Sequence, residues 1–219
     1  MQFINLHTHH YSNPPATFEL VNQYPLEYSS SIPYYSMGIH PWFIKEATLD
    51  QEFEILTQKI QDKNCLAIGE CGLDKRIDVP FDLQQTVFEK QLVIAEKERK
   101  PVIIHCVAAF DELIEITKRL QITVPIIIHG FSKNSQVAHQ LLKQGFYISF
   151  GKYLFQIPKL ASVLNEVPED RYFLETDTAH QSIEAVYQLV AESKGISIQR
   201  LQEIVQHNFE SVFKTKINE

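Results

Sequence analysis

The stretches "PVIIHC" at 101–106 and "PIIIHG" at 125–130 constrain the fold more than any other feature of the chain. Each is an unbroken run of branched aliphatic residues that ends in a histidine. A strand with one wet face alternates apolar and polar residues; a strand apolar throughout is covered on both faces, which is the condition of a parallel sheet flanked by helices. Six further short runs bounded by turn residues read as strands: 2–7, 18–24, 34–40, 65–71, 146–151 and 172–177. Between and after the later runs lie segments with a helical period, at 82–99, 108–120, 134–144, 182–194 and 197–214, with Gly145 placed to end the third.

Eight strands alternating with helices predict a (β/α)₈ TIM barrel, with an open doubly wound sheet as the competing arrangement. At 219 residues the chain is shorter than the roughly 250 of a usual barrel. The shortfall falls at the start, where 10–17 and 25–33 are too brief and too rich in Pro and Ser for full crossover helices. The expectation is a distorted barrel with shortened first connections, occupying 1–219 as a single domain without linkers.

The strand ends repeat one habit. His7 and His9 close the first strand, His40 the third, Glu70 the fourth, His105 the fifth, His129 the sixth and Asp177 the eighth. In a parallel barrel every strand C-terminus opens on the same face, so these distant residues are expected to gather at one mouth. His7 and His9, two apart on a strand, point to one side. A lone histidine at a strand end is commonly a packing or surface residue; this many donors ending strands of one sheet are not easily produced by independent causes. Six donors (His7, His9, Glu70, His105, His129 and Asp177) exceed one tetrahedral ion but suit two divalent ions sharing a carboxylate.

Composition limits the partners. A formal charge of −7 argues against a large duplex-clamping surface, yet leaves room for a phosphodiester or a nucleic-acid end held at a metal centre. No apolar run is long enough to span a membrane, and "MQFINLHTHH" has neither the basic start nor the apolar core of a secretory leader, so a cytoplasmic protein is expected. Cys65, Cys71 and Cys106 form no CxxC pair and read as reduced packing residues. Nothing reads as a protein interface, and a monomer is expected.

Taken in order, "HTHH", "GIHPW", "IGECGLD", "Q..VFEKQL", "PVIIHC", "IIIHGF", "FLETD" and the terminal "NFESVF" resemble the TatD-type metal-dependent deoxyribonucleases, a branch of the amidohydrolase-like barrels. The resemblance runs from residue 3 to about 213. It implies one metal on His7, His9, Glu70 and Asp177, with Glu70 bridging to a second on His105 and His129, and His40 beside the substrate. It also implies metal-dependent phosphodiester hydrolysis, typically exonucleolytic on DNA, with Mg, Mn or Zn as the ions. The chain departs from the pattern in its short first connections, in Val107, in "KRIDVP" after "GLD" and in "AHQ" after "LETDT". These lie in substrate-reading loops, so they affect substrate more than chemistry.

In the expected mechanism the ions activate a water that Asp177, ligand and candidate base, orients and deprotonates. Lys75, Arg76, Lys133 and Lys152 fall in loops of the same face and are candidate phosphate contacts, although each taken singly reads as a solvated cation. His180 follows the last strand and is a candidate lining residue of the mouth; His139 and His207 fall in helices. Two other readings remain open: a C–N or ester hydrolase on the same scaffold, and a metal-binding module without turnover. Strand four carries Glu70 and no lysine that could be carboxylated to bridge metals, which tilts the choice toward phosphoester chemistry.

Overall fold

Each apolar run forms a strand in the computed structural model, which describes residues 2–217. Along the chain come β1 (Phe3–Thr8), β2 (Thr17–Gln23), β3 (Tyr35–Met37), α1 (Leu49–Lys59), β4 (Cys65–Asp74), α2 (Phe81–Glu98), β5 (Val102–Val107) and α3 (Phe110–Arg119). These are followed by β6 (Ile126–Ile128), α4 (Ser135–Lys143), β7 (Tyr147–Phe150), α5 (Tyr153–Gln156), α6 (Leu160–Glu166), β8 (Tyr172–Leu174), α7 (Ile183–Lys194) and α8 (Ile198–Phe213). The sheet order is the chain order, β1 to β8, and its registered pairs are parallel. Asp177 N–H donates to the His7 carbonyl at 2.9 Å and His9 N–H to the Asp177 carbonyl at 3.2 Å, so the chain leaving β8 runs beside the end of β1. The architecture is a (β/α)₈ barrel.

The shortened start is as expected. A loop alone joins β1 to β2, and a single 3₁₀ turn at Pro25–Glu27 lies between β2 and β3. Buried Glu19 shapes the first loop, accepting from Ser12 N–H at 2.9 Å, Ser12 Oγ at 2.7 Å and Asn13 N–H at 3.0 Å. Helix α1, in contrast, carries no strong sequence signal. Only Phe53 and Leu56, with Ile60 just beyond, form its buried apolar stripe, and the rest of "LDQEFEILTQK" is largely polar. Between β7 and β8 two short helices stand where sequence periodicity shows none.

Packing divides the chain into two compact units, one of Met1–Val21 with Ile128–Glu219, the other of Asn22–Ile127. In the first, Ile4, Leu6, Leu20, Phe150, Phe173 and Tyr187 are buried, and Phe18 meets Phe209 edge-on at 4.9 Å between ring centres. The terminal "NFESVF" has a structural use here. Asn208 Nδ2 donates to the carbonyls of Glu169 at 2.8 Å and Tyr172 at 2.9 Å, fastening α8 to the start of β8.

In the second unit, Met37, Ile39, Ile68, Phe88, Leu92, Ile103 and Ile104 are buried. Two buried glutamines of α2 brace the strand ends that carry the site. Gln91 Oε1 accepts from Ile39 N–H at 2.7 Å and its Nε2 donates back to the Ile39 carbonyl at 3.1 Å. Gln84, two turns earlier, does the same for Asp74, at 2.8 and 3.0 Å. A buried backbone polar group without a partner costs about 1–3 kcal/mol, so these amides stabilise the strand ends they hold. The spacing of seven puts both amides on one helix face.

Candidate metal centre

In the unit of residues 22–127, β4 supplies two carboxylates. Glu70 and Asp74 are four apart with Gly72 between them, so alternation sends both to one side. They take His105 of β5 from either end of its ring: Nδ1 lies 3.1 Å from Glu70 Oε1, and Nε2 lies 3.4 Å from Asp74 Oδ2. His40 approaches the same Glu70 oxygen with Nε2 at 3.0 Å. Trp42 donates its indole N–H to Asp74 Oδ2 at 2.8 Å and its backbone N–H to His40 Nδ1 at 3.1 Å. Glu70 N–H is itself held by Asn22 Oδ1 at 2.5 Å. Burial alone would raise the Asp74 pKa, but hydrogen bonds from the Trp42 indole, Arg76 N–H and His105 outweigh it and hold Asp74 below its usual range.

In the unit of residues 1–21 and 128–219, Asp177 is the centre. Its Oδ1 faces His9 Nε2 at 3.4 Å and His7 Nε2 at 3.9 Å; its Oδ2 accepts from Lys152 Nζ at 2.6 Å. Lys152 also donates to Thr178 Oγ1 at 3.1 Å. Burial opposes the ionised form of Asp177, yet the hydrogen bond from His9, the charges of His129 and His7 and the Lys152 hydrogen bond together hold its carboxyl far below the usual range. Burial likewise disfavours the Lys152 ammonium, and the contact with Asp177 more than restores it, raising its pKa. The His129 ring centre is 4.4 Å from that of His7, and its Nδ1 lies 3.4 Å from Oε1 of buried Glu175, which also accepts from Gly130 N–H at 2.8 Å. Asn5 and Thr176 brace this strand end reciprocally, at 2.8 and 2.9 Å.

The donor chemistry fits divalent ions. His7, His129 and Asp177 in one unit, and His40, Glu70 and His105 in the other, each offer ligand atoms within 4.8 Å of one another. Glu70 Oε1 and His105 Nδ1 at 3.1 Å match the edge of an octahedron with bonds of about 2.1 Å. Both mid-chain histidines are backed on their second nitrogen by a buried carboxylate, Asp74 or Glu175, the support that fixes the ring of a ligating imidazole. Burial disfavours the thiolates of two of the three cysteines, pushing Cys71 up strongly and Cys65 up to about 12.

Several residues of the support escaped the sequence reading. Asp74 was lost because the fourth strand runs to Asp74 and not to 71; the alternation Glu70–Gly72–Asp74 was the signal. Glu175 carries the same signal, two positions before Asp177. Lys152 reads from sequence as a solvated cation and is instead the partner of Asp177. Lys75 pairs with Glu112, and Arg76 is exposed and gives Asp74 its backbone N–H. Lys133 is half-buried. His180 is exposed and lines, with His10, Ser12, Thr176 and Glu184, a cavity of about 250 Å³. His139 and His207 lie exposed on α4 and α8, and His139 pairs with Glu166 at 3.2 Å. Among the described residues no helix is long and apolar enough to cross a membrane.

The family model described as TatD related DNase matches residues 1–214. The chain belongs to that family. It is 28% identical over 213 residues to YabD of Bacillus subtilis strain 168, described as an uncharacterized metal-dependent hydrolase, covering 90% of this chain and 81% of that one. An uncharacterized metal-dependent hydrolase of Haemophilus influenzae is 30% identical over 153 residues, which span 66% of this chain and 58% of that protein. The crystal structure of the TatD homologue YjjV from Escherichia coli K12 superposes with a TM-score of 0.82 at 22% identity, over 97% of this chain and 98% of that one. This TatD-family chain is thus a metal-dependent hydrolase built on the barrel expected of it.

Proposed function

We propose that this TatD-family chain hydrolyses phosphodiester bonds with two divalent ions, as a deoxyribonuclease of the exonuclease type acting on DNA ends or on a small phosphodiester. The reading rests on one observation above the rest: each packing unit presents a carboxylate among histidines, Glu70 within β4 in one and Asp177 just past β8 in the other. His7, His9, His129 and Asp177 of the one unit, and Glu70 and His105 of the other, would hold the ions.

The ions, Mg, Mn or Zn, supply Lewis acidity toward a phosphoryl oxygen and lower the pKa of a water. The chain's own residues position the reaction. Asp177 is offered as ligand and as the group that orients the attacking water; with Lys152 on one oxygen and its proton affinity held low, its strength is in orientation more than in proton uptake. The Lys152 ammonium, at the same carboxylate, is placed to meet an anionic substrate oxygen. A net charge of −7 argues against a large duplex-clamping surface and suits a substrate end or a small phosphodiester.

The test is a chelator-stripped enzyme reloaded with each metal and offered end-labelled oligonucleotides, a chromogenic phosphodiester, a lactone and an amide. Metal-restored cleavage of the first two is expected, falling by about three orders of magnitude or more in His105→Ala and Asp177→Ala with circular dichroism unchanged. Turnover of only the lactone or amide would replace this reading with the C–N or ester hydrolase; tight metal without any turnover would replace it with a binding module.

A further inference from the structure

The side-chain network around Glu70 raises the question of which imidazoles ligate a metal and which hold the ligands in place. His40, Glu70 and His105 present their donor atoms together, and proximity alone does not tell the two histidines apart. Their outer contacts do. His40 Nδ1 receives the backbone N–H of Trp42 at 3.1 Å. A backbone N–H can only donate, so Nδ1 must carry a lone pair, and a neutral His40 then carries its proton on Nε2. That Nε2–H points at Glu70 Oε1, 3.0 Å away. A metal on Nε2 would require the proton on Nδ1, facing the Trp42 N–H donor to donor. His105 has the opposite surroundings. Both of its nitrogens face carboxylate acceptors, Nε2 toward Asp74 Oδ2 at 3.4 Å and Nδ1 toward Glu70 Oε1 at 3.1 Å, so a proton held on Nε2 by Asp74 makes the Nδ1 lone pair available to a metal beside Glu70, a choice that His40 does not have. Trp42 joins the two arrangements: its backbone N–H sets His40, and its indole N–H holds the Asp74 oxygen that sets His105, at 2.8 Å.

We infer that Trp42 and Asp74 are positioning residues that divide the roles of the two histidines: His105 is a metal ligand through Nδ1, and His40 is a neutral hydrogen donor that orients Glu70 without binding metal. The inference rests on the metal centre proposed above but requires nothing about its substrate. It explains why a motif histidine is 4% exposed and engaged at both nitrogens, an arrangement poorly suited to direct contact with substrate.

The test is nitrogen-15 NMR of histidine-labelled protein, metal-free and then loaded with cadmium-113, at a pH where free imidazole is neutral. In the metal-free sample His40 is expected in the Nε2–H form. On loading, His105 Nδ1 should gain a cadmium coupling and His40 none. A cadmium coupling at His40, or an Nδ1–H form of it, overturns the inference. If wild-type protein takes up no cadmium, the metal centre itself fails, while the His40 tautomer still tests the Trp42 contact. Variants separate positioning from packing. Trp42→Phe keeps ring and backbone but lacks the indole donor, and Asp74→Asn keeps shape; both should weaken cadmium at one site about 10-fold or more, with the His40 tautomer unchanged. His40→Gln can still donate to Glu70 and should hold cadmium within about threefold of wild type, where His40→Ala loses about 10-fold. Equal losses in His40→Gln and His40→Ala overturn the donor role.

Discussion

Glu70, within β4, and Asp177, just past β8, are both nearly buried carboxylates, yet their surroundings differ in kind. Asp177 is balanced by a cation of the chain itself, with the Lys152 ammonium on Oδ2 and the histidines on Oδ1. Glu70 meets His40 and His105 through a single oxygen, and behind those rings stand Trp42 and Asp74. The first region is charge-compensated and one-sided; the second is built by hydrogen-bond direction. Backbone packing differs in parallel. Gly72, at φ +146°, lies so close to β5 that a Cβ there would collide with the His105 carbonyl. At Gly130, φ +56°, a Cβ would make only ordinary van der Waals contacts, the nearest at 3.9 Å. Precision in the Glu70 region therefore comes from strands in tight contact; the Asp177 region has one such approach, where a Cβ on Gly151 would lie 2.6 Å from the Glu175 carbonyl, and adds an ion pair.

The largest expected effect tests that contrast directly. Gly72→Ala should cost more than about 4 kcal/mol or prevent soluble expression, because overpacking and a strained φ act together. Urea unfolding of a well-behaved Gly72→Ala protein with wild-type stability would remove the close-approach argument. Gln91→Leu comes next, at about 3 kcal/mol, since two buried backbone groups of Ile39 lose their partner while the volume is kept.

Lys152→Met should cost about 2 kcal/mol in chelated protein at neutral pH, between the values for exposed and fully buried pairs. Its pH dependence has a definite sign. Asp177 is depressed by folding, so its contribution is present above the unfolded value of about 3.9 and fades as pH falls through the lower folded value. Lys152 is raised, so its contribution is present below about 10.4 and fades as pH rises through the higher folded value. Wild type and variant should therefore differ most between about pH 4 and 10 and converge outside it; a difference that stays constant into strong acid would mean the lysine acts by packing. The smallest effect is Gly130→Ala, about 1–2 kcal/mol from the left-handed backbone alone. Equal losses for Gly72→Ala and Gly130→Ala would erase the distinction between the two regions.

The apolar runs ending in His105 and His129 were sufficient to indicate a parallel, helix-covered sheet, because continuous burial has few other solutions. The recurrence of metal-binding side chains at strand ends, read with the order of motifs, was enough for the family and for the candidate ligands. Helix α1 was illegible: its stripe of Phe53, Leu56 and Ile60 is too narrow to stand out from a polar segment. Asp74 and Glu175 carried no assignable role in the sequence, and Lys152, a candidate phosphate contact there, showed nothing of its pairing with Asp177, since a carboxylate or ammonium near a motif looks the same whether it is solvated or pressed against a ligand.

What the sequence determined by itself was pattern: which residues are covered, which strands alternate with helices, and which donors fall at strand ends. Only tertiary structure decided direction. Which nitrogen of His40 takes a hydrogen bond depends on the Trp42 N–H, and which oxygen of Asp177 faces the histidines depends on Lys152, twenty-five residues away. Hydrogen bonds and ion pairs are set by distances of a few tenths of an ångström between groups that the chain brings together only when it closes.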